Sequence, residues 1–386
     1  MNRRNLFLGS AAMAVSTLTE NAAFANGFAG DFEMRGSVDL YERLPRLNTE
    51  STLDFHTGYR KWMARNLRRV EIRRARDVLK ANGIDPRSDA PLDDVVEILT
   101  ADPQVAMYMH NWERTQEAMW QIIKQECDRN ADVLLDELAA AEKLGPSTLE
   151  LNKDLKAPDY ACYEIHIQPG GYVGDRFAGH IYYHGTSVVL LNDQDEMQRS
   201  FVRGVPRPAD GKVRRVLDQG TGCGQFAMAL KQKFPEAEVW ADDVAGPMLR
   251  FAQLLSVERG AEIHYVQRLS EDNGFPDEYF DIVTNNLLIH EVPAVKVKEI
   301  LAEAYRTLRP GGVYYPLDSY TGDQTRNTAL SKYYAWRNYR WNHEVWWMEY
   351  YHLDLAQTMR DVGFEVDEHG PKGRSDTTHN IVGYKV

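Results

Sequence analysis

In the second half of the chain, short apolar runs alternate with stretches in which apolar residues recur at helical spacing. Five runs have the length and composition of buried strands, and they lie at 216–218, 238–241, 263–266, 280–284 and 313–316. Three intervening stretches have the spacing of amphipathic helices, at 225–234, 247–259 and 295–308. This alternation predicts an α/β fold with a mainly parallel sheet, in which ligands bind beyond the carboxyl ends of the strands.

The first half of the chain has a different pattern. Residues 57–150 are predicted to be mainly helical, because apolar positions recur every three to four residues between proline and glycine breaks. Residues 160–167 alternate in polarity and residues 177–191 are aromatic and β-branched, so both are predicted as strands. A polar linker with prolines follows. We therefore predict a mainly helical N-terminal domain with a small β element over 26–205, and an α/β domain over 206–386.

The extreme N-terminus has the pattern of an export signal. Arg3 and Arg4 precede a weakly apolar stretch of small residues, and Ala23-Phe24-Ala25 fits the small-x-small pattern before a cleavage site. Paired arginines before such a stretch are typical of twin-arginine signals. We predict a signal peptide over residues 1–25 and a periplasmic protein. The alternative is an uncleaved N-terminal arm on a cytoplasmic protein.

Composition narrows the classes of partner. The 386 residues carry a formal net charge of −12, which opposes binding to the phosphates of nucleic acid. No apolar run reaches the ~18–20 residues of a membrane-spanning helix. The three cysteines lack CxxC spacing and predict neither a disulfide framework nor a structural zinc site. A small molecule is the expected partner, and the oligomeric state is left open.

The strongest chemical signal is the segment VLDQGTGCG at 216–224, where an acidic residue ends a strand and three glycines follow at every second position. Glycine permits tight turns and close approach of a ligand to the backbone, and the next helix offers unpaired N–H groups at its start. A dinucleotide-binding loop would read G-x-G-x-x-G around a pyrophosphate. Here the carboxylate of Asp218 would repel a phosphate and attract an ammonium group.

This segment resembles motif I of the class I S-adenosylmethionine-dependent methyltransferases. Four later segments resemble further landmarks of that family in the same order, at 241–249, 268–272, 280–283 and 308–312. The resemblance covers residues 213–318 and implies a Rossmann-like methyltransferase domain with S-adenosyl-L-methionine as its cofactor. The alternative is a dinucleotide enzyme with a coincidental match.

The resemblance also implies which residues contact the cofactor. At the end of the second strand, Asp243 would accept hydrogen bonds from the ribose hydroxyls, with Asp242 as the alternative, and Val244 would pack on the adenine. After the third strand, the adenine contact is left open among residues 270–272. The implied cofactor-binding residues are Asp218, Gly220, Thr221, Gly222, Gly224, Asp243, Val244, Ser270, Glu271 and Asn285.

His290 and Glu291 follow the fourth strand at the expected ligand edge. Similar small-molecule O-methyltransferases carry a catalytic histidine there, so we predict His290 as a general base that deprotonates an acceptor hydroxyl, oriented by Glu291. A packing role is the alternative. The predicted reaction is methyl transfer to the oxygen of a small aromatic or hydrophobic acceptor. N-methylation of an amine or peptide, and a cofactor-binding pseudoenzyme, remain alternatives.

Other aromatic and histidine residues are weaker candidates for the site. Nine aromatic side chains crowd positions 333–351, and most are expected to form core while a few face the substrate. His180 and His184 lie on a predicted strand ~13 Å apart, which disfavours a shared metal ion. His166 is interpreted as structural. We expect no metal.

Overall fold

A computed structural model of the chain describes residues 37–38, 41–42, 47–190, 194–318, 327–370 and 381–386. The predicted signal peptide of residues 1–25 lies outside these residues. Among them, no helix is both long and apolar enough to cross a membrane.

The centre of the fold is an eight-stranded sheet with the order β3-β6-β5-β4-β7-β8-β10-β9. The strands are β3 (Thr148–Glu150), β4 (Arg215–Gln219), β5 (Glu238–Asp243), β6 (His264–Gln267), β7 (Phe280–Asn286), β8 (Leu308–Leu317), β9 (Glu365–Asp367) and β10 (Val382–Tyr384). The first six run parallel, and the last two are antiparallel to their neighbours. Two short strands, β1 (Ser37–Val38) and β2 (Tyr41–Glu42), form a separate hairpin. The predicted α/β class with a mainly parallel, Rossmann-like sheet is confirmed.

Helices connect and cover these strands, and the three predicted in the second half are confirmed. The α-helices are α1 (Leu47–Trp62), α2 (Arg68–Ala81), α3 (Leu92–Ala101), α4 (Pro103–Arg129), α5 (Ala131–Ala141), α6 (Ala178–Leu190), α7 (Gln194–Val202), α8 (Gln225–Lys233), α9 (Gly246–Arg259), α10 (Ala294–Thr307), α11 (Ala329–Trp341), α12 (Trp347–Tyr351) and α13 (Leu355–Val362). A π-helical turn, Met63–Leu67, joins α1 to α2. Two apolar layers, one on each face of the sheet, form the core of the α/β part.

The two strands predicted at 160–167 and 177–191 are wrong. The first segment contains two 3₁₀ turns, and His166 within it has a left-handed φ of 53°, which ends any extended run. The second is helix α6. Its Gly179 and Gly185 let the helix pack directly on α9 and α4, because an added Cβ would lie 2.3 Å from Phe251 and 1.9 Å from Trp120. Tertiary packing here overrides the β propensity of the aromatic and branched residues.

The N-terminal part contributes directly to the sheet. Strand β3 precedes the predicted boundary at residue 206, yet it pairs in parallel with β6 at the sheet edge. Trp120 on α4 is fully buried with Phe177 and Ile181 at the start of α6. The helices therefore pack on the sheet domain, while the boundary itself stays a prediction.

Candidate active site

A cavity of about 630 Å³ lies at the carboxyl ends of the central strands. One wall consists of the glycine loop after β4 and the ends of β5 and β7. The opposite wall comes from α4, the turns at 160–173 and helix α11 with its following loop. The N-terminal helices and the aromatic segment at 333–351 therefore cover the predicted ligand edge of the sheet.

The glycine loop has the conformation that its sequence predicts. Gly220, Gly222 and Gly224 have φ values of 62°, 56° and 73°, a region that side chains rarely adopt. Gly224 faces away from the cavity, and a Cβ there would lie 2.2 Å from the hydroxyl of Tyr265. Gly220 and Gly222 line the cavity and bring their backbone to its surface.

Asp218 lies at the end of β4 with its side chain almost completely buried in the cavity wall. The hydroxyl of Thr221 donates to Oδ2 at 2.7 Å, whereas Oδ1 has no hydrogen-bond partner among the described residues. Burial raises the pKa of Asp218 to about 8, with only partial compensation from the Thr221 hydrogen bond. The carboxyl group therefore has no cationic partner within the described part of the chain.

The two aspartates at the end of β5 have different positions. Asp243 lines the cavity, and its oxygens accept hydrogen bonds from the backbone N–H groups of Gly222 and Ala245, both at 2.8 Å. Asp242 points under the loop, where its Oδ1 accepts from the Gly220 N–H at 3.2 Å and from the Ser270 hydroxyl at 2.6 Å. Asp242 therefore holds the glycine loop in place, and Asp243 is the aspartate of this pair that can contact a ligand in the cavity.

The predicted adenine side contains Val244, Ser270 and Glu271, which all line the cavity. Glu271 accepts a hydrogen bond from the Tyr160 hydroxyl at 2.5 Å, so a turn of the N-terminal part meets the sheet domain here. Asn285 is not among the lining residues, because its amide donates to the buried hydroxyl of Tyr314 at 2.6 Å. The structure therefore brings the predicted cofactor residues together except Asn285 and Gly224.

His290 forms a dyad with Asp318, the residue that follows β8. The ring Nδ1 lies 2.6 Å from Asp318 Oδ1, and the backbone N–H of His290 donates to Oδ2 at 3.2 Å. Burial lowers the pKa of His290, but the charge and hydrogen bond of Asp318 raise it more, to about 10. Because Nδ1 is held by the carboxylate, Nε2 is the ring atom that remains for an acceptor.

Two glutamates and a second histidine surround the Nε2 side of the dyad. Glu344 Oε2 lies 3.7 Å and Glu291 Oε1 3.9 Å from Nε2, both beyond hydrogen-bond distance. His166 Nδ1 lies 3.3 Å from Glu344 Oε1, and the amide of Asn342 lies 3.0 Å from the same ring nitrogen. The prediction that Glu291 orients His290 is therefore corrected, since Asp318 holds the ring and Glu291 lines the cavity beside it.

Known proteins match this chain over the glycine loop and its sheet. Residues 216–312 match a family model described as a methyltransferase domain. The chain is 36% identical over 110 residues to a demethylmenaquinone methyltransferase of Thermus thermophilus, covering 28% of this chain and 49% of that protein. Residues 216–312 therefore form a methyltransferase domain that is similar to the class I S-adenosylmethionine-dependent methyltransferases.

Two further relatives are named as methyltransferases of other types. The chain is 32% identical over 133 residues to a ubiquinone/menaquinone biosynthesis C-methyltransferase of Desulfotalea psychrophila, covering 34% of this chain and 51% of that protein. It is 32% identical over 134 residues to a fatty-acid O-methyltransferase of Mycolicibacterium smegmatis, covering 34% of this chain and 47% of that protein. The chain spans about half the length of the curated relatives it matches.

The residues of the methyltransferase domain fit S-adenosyl-L-methionine. The unpartnered oxygen of Asp218 suits the ammonium of the methionine portion, which supplies the missing positive charge. Asp243 has both oxygens fixed by backbone N–H groups, and their remaining lone pairs suit the two ribose hydroxyls. The N–H groups of Gly220 and Gly222 already donate to Asp242 and Asp243, and the carboxyl groups in this wall would repel a pyrophosphate, which disfavours the dinucleotide alternative.

Sequence reasoning missed three residues of the site. Asp318 follows the fifth predicted strand, and an acidic residue at a strand end was a usable signal there. Glu344 and His166 gave no such signal in the sequence, because they lie in loops about 180 residues apart in the chain and meet only in the folded structure. The interpretation of His166 as structural had the same cause. His180 and His184 lie on a helix, not a strand, and burial lowers the pKa of each. Among the described residues, no group of histidines, cysteines and carboxylates has the arrangement of a metal site.

Proposed function

We propose that this chain is an enzyme that transfers the methyl group of S-adenosyl-L-methionine to the oxygen of a small aromatic acceptor, with His290 as general base. The His290–Asp318 dyad carries the proposal, because His290, which Asp318 holds, lines the same cavity as Asp218 and Asp243. The bound cofactor supplies a methyl group on a positively charged sulfur that is already activated for transfer. The protein has to hold the acceptor in line and remove its proton.

His290 is suited to remove the proton of a phenolic hydroxyl. In the neutral form of the ring, Asp318 accepts the Nδ1–H, so Nε2 is the atom that can take up the acceptor's proton. The raised pKa of about 10 lies close to that of a phenolic hydroxyl, ~10 in tyrosine. Proton transfer between groups of matched pKa costs little free energy. Glu291, whose pKa is raised to about 8 by burial, lines the same part of the cavity and is a hydrogen-bonding partner for the acceptor.

A second candidate is methylation of a ring carbon. One relative is named as a demethylmenaquinone methyltransferase and another as a ubiquinone/menaquinone biosynthesis C-methyltransferase. Removal of a phenolic proton also activates the ring carbons next to the oxygen, so the same dyad serves both reactions. N-methylation receives less support, because a neutral amine needs no base.

The test uses the purified chain, methyl-labelled cofactor and a panel of phenols, hydroquinones, amines and carboxylic acids, with product structures determined by mass and NMR. We expect methyl transfer to phenols or hydroquinones. His290→Ala should abolish this turnover and preserve binding of S-adenosylhomocysteine, measured by calorimetry. The matched control His352→Ala changes an exposed histidine and should retain activity.

The outcomes separate the alternatives. Unchanged turnover in His290→Ala would remove the dyad from the mechanism, and labelled amines would favour N-methylation. Absence of binding heat with the cofactor would identify a degenerate site.

A further inference from the structure

The cavity contains a basic part, distinct from its acidic cofactor wall. Arg68 on α2 and Arg337 on α11 both line it, and both guanidinium groups approach the buried carboxylate of Glu71. Arg68 Nη1 donates to Glu71 Oε2 at 3.2 Å. Arg337 Nη1 lies 3.7 Å from Oε1, which is an ion pair without a hydrogen bond.

Arg337 is the incompletely satisfied member of this group. Its side chain is only 16% exposed, and Nη1 has no hydrogen-bond partner among the described residues. The rings of Tyr108 and Tyr334 lie 5.5 Å and 4.9 Å from its central carbon and cover it without neutralising it. Burial and the nearby charge of Arg68 both lower the pKa of Arg337, as expected for a cation that lacks a full counter-charge.

Charge balance indicates what this position can bind. Two guanidinium groups share one carboxylate, which leaves a single positive charge in excess at the cavity wall. A carboxylate supplies one negative charge and matches the planar guanidinium with two parallel hydrogen bonds. A phosphate monoester carries −1.5 to −2 charges near pH 7, so it would overcompensate the pair in a cavity already lined by acidic residues. The balance favours a monoanion.

Helix α11 fixes the basic position relative to the dyad. Arg337 and Trp341 are one helical turn apart and line the same cavity, and Asn342 follows about 7 Å along the helix from Arg337. Asn342 contacts His166, which belongs to the group around His290. A molecule that reached from Arg337 to the dyad would therefore share the cavity with the side chain of Trp341.

We propose that the methyl acceptor carries a carboxylate that binds Arg337, while its hydroxyl reaches His290 at the other end of the same aromatic-lined space. This inference rests on the proposed function for the role of the hydroxyl end. The carboxylate end is an independent binding property of the chain.

The test compares two probes, 6-hydroxy-2-naphthoate and its methyl ester, which has one more methyl group and no negative charge. Their affinities are measured by calorimetry with S-adenosylhomocysteine bound. We expect the wild-type protein to bind the naphthoate at least ~10-fold more tightly than the ester. Arg337→Gln should remove this preference by weakening the naphthoate ~10-fold or more and leaving the ester unchanged, since a charge-assisted hydrogen bond is worth ~1.5–3 kcal/mol.

Two further variants serve as controls. Arg340→Gln makes the same charge change on an exposed residue of the same helix and should keep the preference. Arg337→Lys restores the charge and should recover part of it. The proposal would be overturned if the wild type did not prefer the naphthoate. It would also be overturned if Arg337→Gln weakened the binding of both probes equally, or if Arg340→Gln weakened naphthoate binding as much as Arg337→Gln does. The assay involves no methyl transfer, so the proposed reaction and the carboxylate site can fail separately.

Discussion

Cofactor binding to this domain should release protons, because the Asp218 carboxyl has no cationic partner until the methionine portion arrives. With a pKa of about 8, the group is protonated in about 0.9 of the molecules at pH 7. An opposite charge at contact distance lowers a carboxyl pKa by ~1–3 units. For a shift of two units, the protonated fraction at pH 7 falls to about 0.1, and about 0.8 of a proton is released.

The same linkage sets the pH dependence of affinity. The folded pKa of Asp218 lies above its ordinary value without cofactor and is lowered by the bound ammonium, so binding strengthens as pH rises. A shift of two units corresponds to ~2.7 kcal/mol and thus to a rise in affinity of up to ~100-fold from pH 6 to pH 8, as long as the ligand keeps its ammonium. The increase is concentrated between these two pH values.

Calorimetry in buffers of different ionisation enthalpy measures the protons released. We expect S-adenosylhomocysteine to release the same number as the cofactor, since both carry the ammonium. The matched ligand 5′-methylthioadenosine lacks the amino-acid portion and should release almost none. Asp218→Asn removes the titrating group and should abolish the release. Equal proton release by the wild type and Asp218→Asn would refute the assignment of Asp218 to the ammonium.

Two further predictions concern the dyad and the loop. Asp318→Asn should lower the pKa of His290, because the negative charge that opposes the effect of burial on the ring is removed. The acid limb of the pH–rate profile should move to lower pH, and kcat should fall ~10²–10⁴-fold. An acid limb at the wild-type pH would contradict this prediction. Gly224→Ala should abolish cofactor binding and lower the melting temperature, since its Cβ would lie 2.2 Å from the Tyr265 hydroxyl. Gly222→Ala, where the nearest atom lies 3.7 Å away, should cost only the ~1–2 kcal/mol of a left-handed alanine, as measured by thermal unfolding.

The cofactor half of the site was predictable from sequence because its chemistry is local. Asp218, Gly220 and Gly222 lie within five consecutive positions, and a buried strand followed by a glycine loop has few possible conformations. Asp243 ends the neighbouring strand, and the parallel pairing of β4 with β5 brings it to the same edge. Local sequence and sheet register together therefore fix the positions of the carboxylates.

The acceptor half depends on contacts that no local pattern encodes. Gln116 on α4 donates both to the backbone of His166 and to the side chain of Asn342, at 2.7 Å each, and so joins three distant segments. The error at 160–167 has the same origin, since the left-handed backbone at His166 depends on these tertiary contacts. The family model matches residues 216–312 and does not extend to His166, Arg337 or Glu344, so the acceptor has to be inferred from this chain's own residues.

The charges around His290 restrict the acceptors that the cavity can take. A histidine whose pKa lies near 10 is largely protonated at neutral pH, so a cationic amine would meet a positive charge at the reacting position. A phenol avoids this conflict, because it shares one proton with His290. The proton lies either on the ring, beside a phenolate, or on the phenol, beside the neutral ring. Both O- and C-methylation begin from that complex. Under the proposed function, the dyad would therefore select for an acidic hydroxyl, and the atom methylated would depend on how the aromatic walls orient the ring toward the cofactor.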